Sequence, residues 1–287
     1  MDAQPPYSIP VKKIILGTRG SELALVQTRE TAFRLRKAHP GLEIEERIIK
    51  TTGDKRLDVS LSAPGALEKG LFTKELEEAL LRGEIHAAVH SLKDLPTELP
   101  PKLAVGAILE REDDSDCLAS KHDGGWQGLP QGGIVATSSL RRKNQLLLLR
   151  PDLQTAEIRG NMGTRLRKLL ECDTLDGLIL AKAAINRLGQ DLIPEGIRVT
   201  VIEEMLPAPG QGAIGIECLE ADAETLRILA AIHHEDTARC VNAEREFLKS
   251  LGGGCSLPLG ARATIVSGEV KLRAALFQNS GVEWLTP

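Results

Sequence analysis

Apolar positions along the chain change period repeatedly, and the changes predict elements. Lys13 to Gly17 (KIILG) is a short apolar run with the length of a buried strand. From Ser21 to Ala38 the spacing turns helical, with Ser21 able to cap the first turn and Glu22 suited to its positive end. His39-Pro40-Gly41 then stops the helix. Glu43 to Lys50 alternates as a half-buried strand does. Thr73 to Arg82 predicts a helix with Leu76, Ala79 and Leu80 on one side and Gly83 as its stop. Ile85 to Val89 and Leu103 to Leu109 are further strands. A second series follows: strand Ile134 to Ala136, helix Ser139 to Leu149, strand Thr155 to Ile158, helix Thr164 to Leu170, strand Gly177 to Leu180. Strands alternating with helices imply parallel α/β sheets.

The two series echo each other. ILGT (15–18) and VATS (135–138) each run from a strand through a small residue and a threonine to a helix start. Two similar lobes facing one cleft would produce this pattern. REDDSD (111–116) and EEMLPAPGQG (203–212) are the expected crossings between them, and the Gly/Pro-rich stretch 124–133 is a loop within the second lobe. Residues 221–251 predict two helices, followed by a Gly-rich turn and a β-rich tail.

Composition narrows the function classes. The chain has 287 residues, enough for two or three domains. Only four Phe, two Trp and one Tyr are available to stack bases, and the net charge of −4 offers no general attraction to polyanions. No apolar stretch reaches the length of a membrane span, and residues 1–11 lack the pattern of a secretion signal. Five scattered cysteines without a CxxC suggest reduced thiols. The expectation is a cytoplasmic protein with no nucleic-acid or membrane partner.

Against that acidic total, residues 138–168 carry eight basic and two acidic side chains. Ser139, Arg141 and Arg142 fall at a predicted helix N-terminus, which presents unpaired N–H groups to anions. Arg159 and Arg165 flank the next strand-to-helix loop, and a guanidinium fits a carboxylate bidentately. A solvated helix face is the plain alternative for any one of them. HSLKDLP (90–96) follows a predicted strand, where α/β proteins bind ligands, so Asp94 is placed for acid–base work or for stabilising a cation. A simple turn aspartate is the alternative. His86 and His90 lie on a strand, about 13 Å apart, too far to share a metal, and none is expected. GGGCSLP (252–258) sets Cys255 in a loop whose backbone can approach a ligand, and a thiolate there is a strong nucleophile. A small buried residue is its alternative, and no neighbouring histidine forms a protease-like pair.

In chain order, LGTRGSELAL (16–25), TGDK (52–55), KGLFTKEL (69–76), HSLKDLP (90–96), TSSLRR (137–142), RGNMGTRL (159–166), PGQGA (209–213) and GGC (253–255) closely resemble the porphobilinogen deaminase (hydroxymethylbilane synthase) family. The resemblance implies an α/β fold with two periplasmic-binding-protein-like lobes, a double chain crossover and a small α+β C-terminal domain. Its domains would span 1–109 with 210–228, 115–204, and 232–287. It implies condensation of four porphobilinogens head to tail, with loss of ammonia, to linear hydroxymethylbilane in tetrapyrrole (haem) biosynthesis. A dipyrromethane cofactor, joined to Cys255 by a thioether, would prime the chain. Asp94 would be the catalytic group, stabilising the cationic azafulvene left by ammonia loss. Lys93, Ser139, Arg141, Arg142 and Arg165 would hold cofactor carboxylates. Arg19, Ser21, Arg159, Arg165 and Arg187 would hold the incoming pyrrole. The tail is shorter than the family's usual third domain, so either a reduced third domain or a truncated sequence is expected. The rival from another class is a non-catalytic two-lobed anion-binding protein.

Overall fold

The computed structural model describes residues 13–52, 72–252, 257–278 and 281–285. The first sheet contains β1 (Lys13–Thr18), β2 (Glu43–Ile48), β3 (Ala87–Ser91), β4 (Leu103–Ile108) and β10 (Ile214–Leu219), in the order β2-β1-β3-β10-β4. The second contains β5 (Asp116–Ser120), β6 (Ile134–Ala136), β7 (Gln154–Ala156), β8 (Gly177–Ala181) and β9 (Arg198–Val201), in the order β7-β6-β8-β5-β9. The orders correspond position for position, as the two similar lobes expected from the sequence would.

Each sheet departs from the all-parallel expectation in the same place. β1, β2 and β3 pair parallel, as do β6, β7 and β8. The fourth strand of each sheet runs antiparallel to both neighbours. The connectivity explains this. The chain leaves β4 through 109–115 and enters the second lobe as β5; it leaves β9 through 202–213 and returns as β10. Each antiparallel strand is an arrival from the other lobe, with no crossover helix to turn it parallel.

Helices α1 (Glu22–Ala38) and α2 (Lys74–Leu81) serve the first lobe. Helices α3 (Leu140–Leu149), α4 (Met162–Glu171) and α5 (Lys182–Leu188) serve the second. α1 starts where its sequence predicts: the Ser21 hydroxyl accepts from the Ala24 N–H. Ser139 does the same for the Arg142 N–H at the head of α3. α4 begins earlier than periodicity suggests, because Asn161 caps it through the Thr164 N–H.

α6 (Ala223–Ala230) closes the first lobe, and α7 (Glu235–Ser250) leads to the antiparallel meander β11 (Leu259–Val266), β12 (Glu269–Gln278), β13 (Gly281–Leu285). The first lobe's main core joins Ile14, Leu16, Leu35, Val89 and Ile216. The second lobe's sheet is buried on both faces, by Leu166 and Leu180 on one and Leu146 and Ile179 on the other.

α7 ties these units together. The Glu244 carboxylate, fully buried, accepts from Arg111 on the outward crossing at 2.7 and 3.1 Å. It also accepts from the Gly210 N–H on the return crossing and the Ala263 N–H of β11, each at 2.8 Å. Burial raises its pKa and Arg111 opposes the rise. The return crossing needs its glycines. Gly212 has φ +87°, and a Cβ there would meet the Glu112 carbonyl oxygen at 2.5 Å.

Candidate active site

β3 ends in a single 3-10 turn, Leu92–Asp94, which sets Lys93 and Asp94 at the carboxyl edge of the first sheet. The turn is braced from behind. Leu92 and Leu95 pack against Ala238 and Val241 of α7. Arg245 of α7 donates to the carbonyls of Leu92 (3.3 Å), Leu95 (2.8 Å) and Pro96 (2.7 Å). The apolar pattern predicts the strand but carries no trace of this brace, whose partners lie some 150 residues apart.

Asp94 is exposed and lines a pocket with Arg19, Ser21, Phe72, His90 and Ser91. The Arg19 guanidinium lies 4.2 Å from the centre of the Phe72 ring, a cation–π contact that steadies it. Gln27 and Ser91 exchange hydrogen bonds at 2.9 and 3.1 Å below. His90 is engaged with buried Glu217 at 3.1 Å, and His86 Nδ1 accepts from the Ile15 N–H; both histidines work within the lobe. Among the described residues no group of His, Cys, Asp and Glu is arranged for a metal.

The second lobe supplies cations. Asp116, at the start of β5 and fully buried, binds both Arg141 and Arg142: Arg141 through Nη1, Arg142 through Nε at 2.9 Å and Nη2 at 2.8 Å. Burial raises its pKa, but the two guanidiniums overcome that and hold it far below the usual carboxylate range. Arg141 also donates to the Leu206 carbonyl at 2.6 Å, so it is engaged inside the crossing. Gln211, wholly buried, joins the lobes here. Its amide nitrogen donates to Asp116 and the Asp114 carbonyl, and its oxygen accepts from Lys93 Nζ at 3.1 Å and Arg142 at 3.5 Å.

Lys93 is half-buried. Burial first, then Arg142, lower its pKa to about 8, against the pull of Asp94 and Asp116. Arg165 is also lowered, by burial, then by Arg142 and Arg159, with Asp94 opposing. Its Nε donates to the Gly160 carbonyl at 2.7 Å. Lys93, Arg141, Arg142, Arg159 and Arg165 therefore share one field, in which Asp94 and Asp116 are counter-charges. Arg159 Nη2 is buried without a hydrogen-bond partner among the described residues. Such a cluster is arranged for a ligand with several carboxylates.

The structure thus gathers Lys93, Asp94, Arg142, Arg159 and Arg165, with Ser139 at the head of α3 beside Arg142. It sets Arg19 and Ser21 around Asp94. It places Arg141 against Asp116, and Arg187 against Glu30 across the lobes at 3.1 Å. Cys255 lies outside the described residues. Among the described cysteines, burial raises the thiol pKa of Cys117 to about 12, of Cys218 to about 11, and of Cys240. Cys172 is half-exposed at the end of α4 rather than packed in the core. Sequence reasoning passed over Asp116 and Gln211. Asp116 reads as part of an acidic loop, and a lone acid opening the apolar run CLA (117–119) is its one local signal.

Comparison with known proteins points the same way. A family model described as "Porphobilinogen deaminase, dipyromethane cofactor binding domain" matches residues 14–227, and one for the porphobilinogen deaminase C-terminal domain matches 238–285. The porphobilinogen deaminase of Syntrophomonas wolfei is 47% identical over 274 residues, covering 95% of this chain and 88% of the relative. That of Chloroherpeton thalassium is 48% identical over 257 residues, covering 90% and 80%. That of Shouchella clausii is 49% identical over 258 residues, covering 89% and 81%.

Proposed function

This chain belongs to the porphobilinogen deaminase family, and from that premise we propose how its own residues divide the work. The enzyme acts in tetrapyrrole biosynthesis, joining porphobilinogen units with loss of ammonia to form hydroxymethylbilane, on a dipyrromethane cofactor. Family membership decides against the non-catalytic anion-binding alternative.

The residues present fit the cofactor. Each pyrrole bears an acetate and a propionate, so two linked rings bring four carboxylates. The site offers clustered cations in excess of its acids, and a buried guanidinium nitrogen with no partner of its own among the described residues. Lys93, Ser139, Arg142 and Arg165 would hold the cofactor carboxylates. Arg141 would act from behind by locking Asp116, the carboxylate that also holds Arg142. Cys255 would carry the thioether. When bound, dipyrromethane supplies the pyrrole end to which each new unit is joined.

Arg19, Ser21, Arg159, Arg165 and Arg187 would hold the carboxylates of the incoming porphobilinogen. Asp94 is the catalytic group. Its oxygens accept hydrogen bonds from pyrrole N–H groups and face the positive charge that develops on the substrate methylene as the C–N electron pair leaves with ammonia. One Asp94 oxygen then receives the proton released when the new C–C bond restores the ring. The observation that carries this reading is one exposed carboxylate, Asp94, beneath an excess of partly buried cations.

The same reading covers three units, 1–109 with 210–228, 115–204 and 232–287, working as a cytoplasmic monomer without nucleic-acid or membrane partners. Among the described residues Cys117, Cys218 and Cys240 are buried free thiols, which supports a reducing compartment. No helix among the described residues is long and apolar enough to cross a membrane.

Intact-protein mass spectrometry of the purified chain beside Cys255→Ala tests the assignment. The expected result is the added mass of one dipyrromethane, absent from the variant. A wild-type chain that stays unmodified after incubation with porphobilinogen would defeat it.

A further inference from the structure

Arg187 sits in the last turn of α5 with its side chain only 6% exposed. Its Nε–H donates to Glu30 Oε2 at 3.1 Å. Glu30 belongs to α1, in the other lobe, and its second oxygen accepts from Arg34 Nη2 at 3.1 Å. Arg34 in turn lies 3.7 Å from Glu110. α1 and α5 pack together, and two turns earlier Glu22 lies beside Gly163 of α4. The Arg187–Glu30 pair is thus part of a seam between the lobes.

Two constraints meet at Arg187. With its side chain this covered and its Nε–H given to Glu30, Arg187 offers a dissolved carboxylate little access while that bond stands. Nor can the guanidinium be left bare at that depth, because a buried charge without a partner is strongly unfavourable. Both constraints are met if one carboxylate replaces another. The charge beside Arg187 is then unchanged, while the bond between α1 and α5 is lost.

We propose that Glu30 is a displaceable internal carboxylate. It holds Arg187 and closes the α1–α5 seam until a carboxylate of porphobilinogen takes its place. This rests on the assignment of Arg187 to the substrate. Glu30 is then a positioning residue that keeps Arg187 in place and competes with substrate for it. Its release also gives the lobes freedom to part as the pyrrole chain lengthens.

The test uses the cofactor-loaded enzyme with Glu30→Ala, because glutamine could still accept the Nε–H, and with Arg187→Leu. Steady-state kinetics are read beside amide hydrogen exchange in the absence of substrate. For Glu30→Ala, KM for porphobilinogen should fall at least three-fold with kcat within two-fold. Exchange in 182–188 should rise at least three-fold, while the strands of both sheets exchange as in wild type. An unchanged or raised KM, or unchanged exchange in 182–188, overturns the proposal. Arg187→Leu separates the two readings. It should raise KM at least ten-fold. If it does not, the assignment of Arg187 to substrate falls and displacement falls with it. If it does while Glu30→Ala leaves KM unchanged, displacement alone falls.

Discussion

At the β1–α1 junction the helix opens Ser21-Glu22; at the matching β6–α3 junction it opens Ser139-Leu140-Arg141-Arg142. Both serines cap, and both helices point their N-termini off the carboxyl edge of a sheet. Only α1 places an acid in its first turn, where the helix dipole favours one. The first turn of α3 has no acid and two arginines, which the dipole disfavours. What makes that turn tenable is Asp116, delivered by the crossing strand β5 and buried against both guanidiniums. The lobes therefore share a topology but not an electrostatic role. On the proposed reading the first presents the reacting carboxylate, and the second concentrates positive charge at some cost to its own helix.

That division predicts different failures on the two sides. Asp94→Asn, on the first lobe, should keep its fold and its dipyrromethane, yet lose at least about 100-fold in turnover, the scale of a missing acid–base group. Arg142→Leu, on the second, should fail earlier, with incomplete cofactor loading by intact mass. Near-normal turnover from Asp94→Asn, or a fully loaded and active Arg142→Leu, would erase the distinction.

Stability should divide the same way. Asp116→Asn strands two buried guanidiniums beside one another, and breaking a buried pair from one side costs about 3–5 kcal/mol. Glu22→Gln removes only a dipole interaction at an exposed position, about 0.3–1 kcal/mol. Urea unfolding of both variants measures the contrast. An Asp116→Asn loss as small as that of Glu22→Gln would mean the buried pair adds nothing to holding the second lobe.

Much of this architecture is legible from local pattern, for physical reasons that also mark where legibility stops. Ser21 and Ser139 announce their helices because capping is decided within four residues. β5 and β10 are harder. Their surroundings, REDDSD and PAPGQG, read as loops, and only the partner strands, contributed from distant stretches of chain, make them central. The site motifs around Asp94 and Arg159 are visible as chemistry set against background charge. Their supports are not. Asp116 meets Arg141 across 25 residues, and Glu244 meets Arg111 across 133, so no periodicity links them. The second lobe's arginines illustrate the limit. Sequence presents Arg141 and Arg142 as equals, and the fold sets Arg141 deeper in the crossing.

The smallest effect is the most specific to the seam between the lobes. Lys93 stands on the first lobe, but burial and then Arg142 of the second lower its pKa to about 8 from 10.5. Between those two values the unfolded chain binds more protons at this site than the folded one. Stability contributed by this site therefore rises with pH from about 8 to 10.5, as the disfavoured charge is shed. Thermal unfolding of the unloaded Cys255→Ala protein, with and without Lys93→Met, isolates the group. The lysine protein should gain on the methionine protein steadily across that range. In the loaded enzyme, cofactor carboxylates held by Lys93 as proposed would favour its charged form and push the pKa back up, so the same comparison should flatten. A pH-independent gap in the unloaded protein would mean that Lys93 does not feel the second lobe's arginines. The two halves of the cleft would then be electrostatically independent.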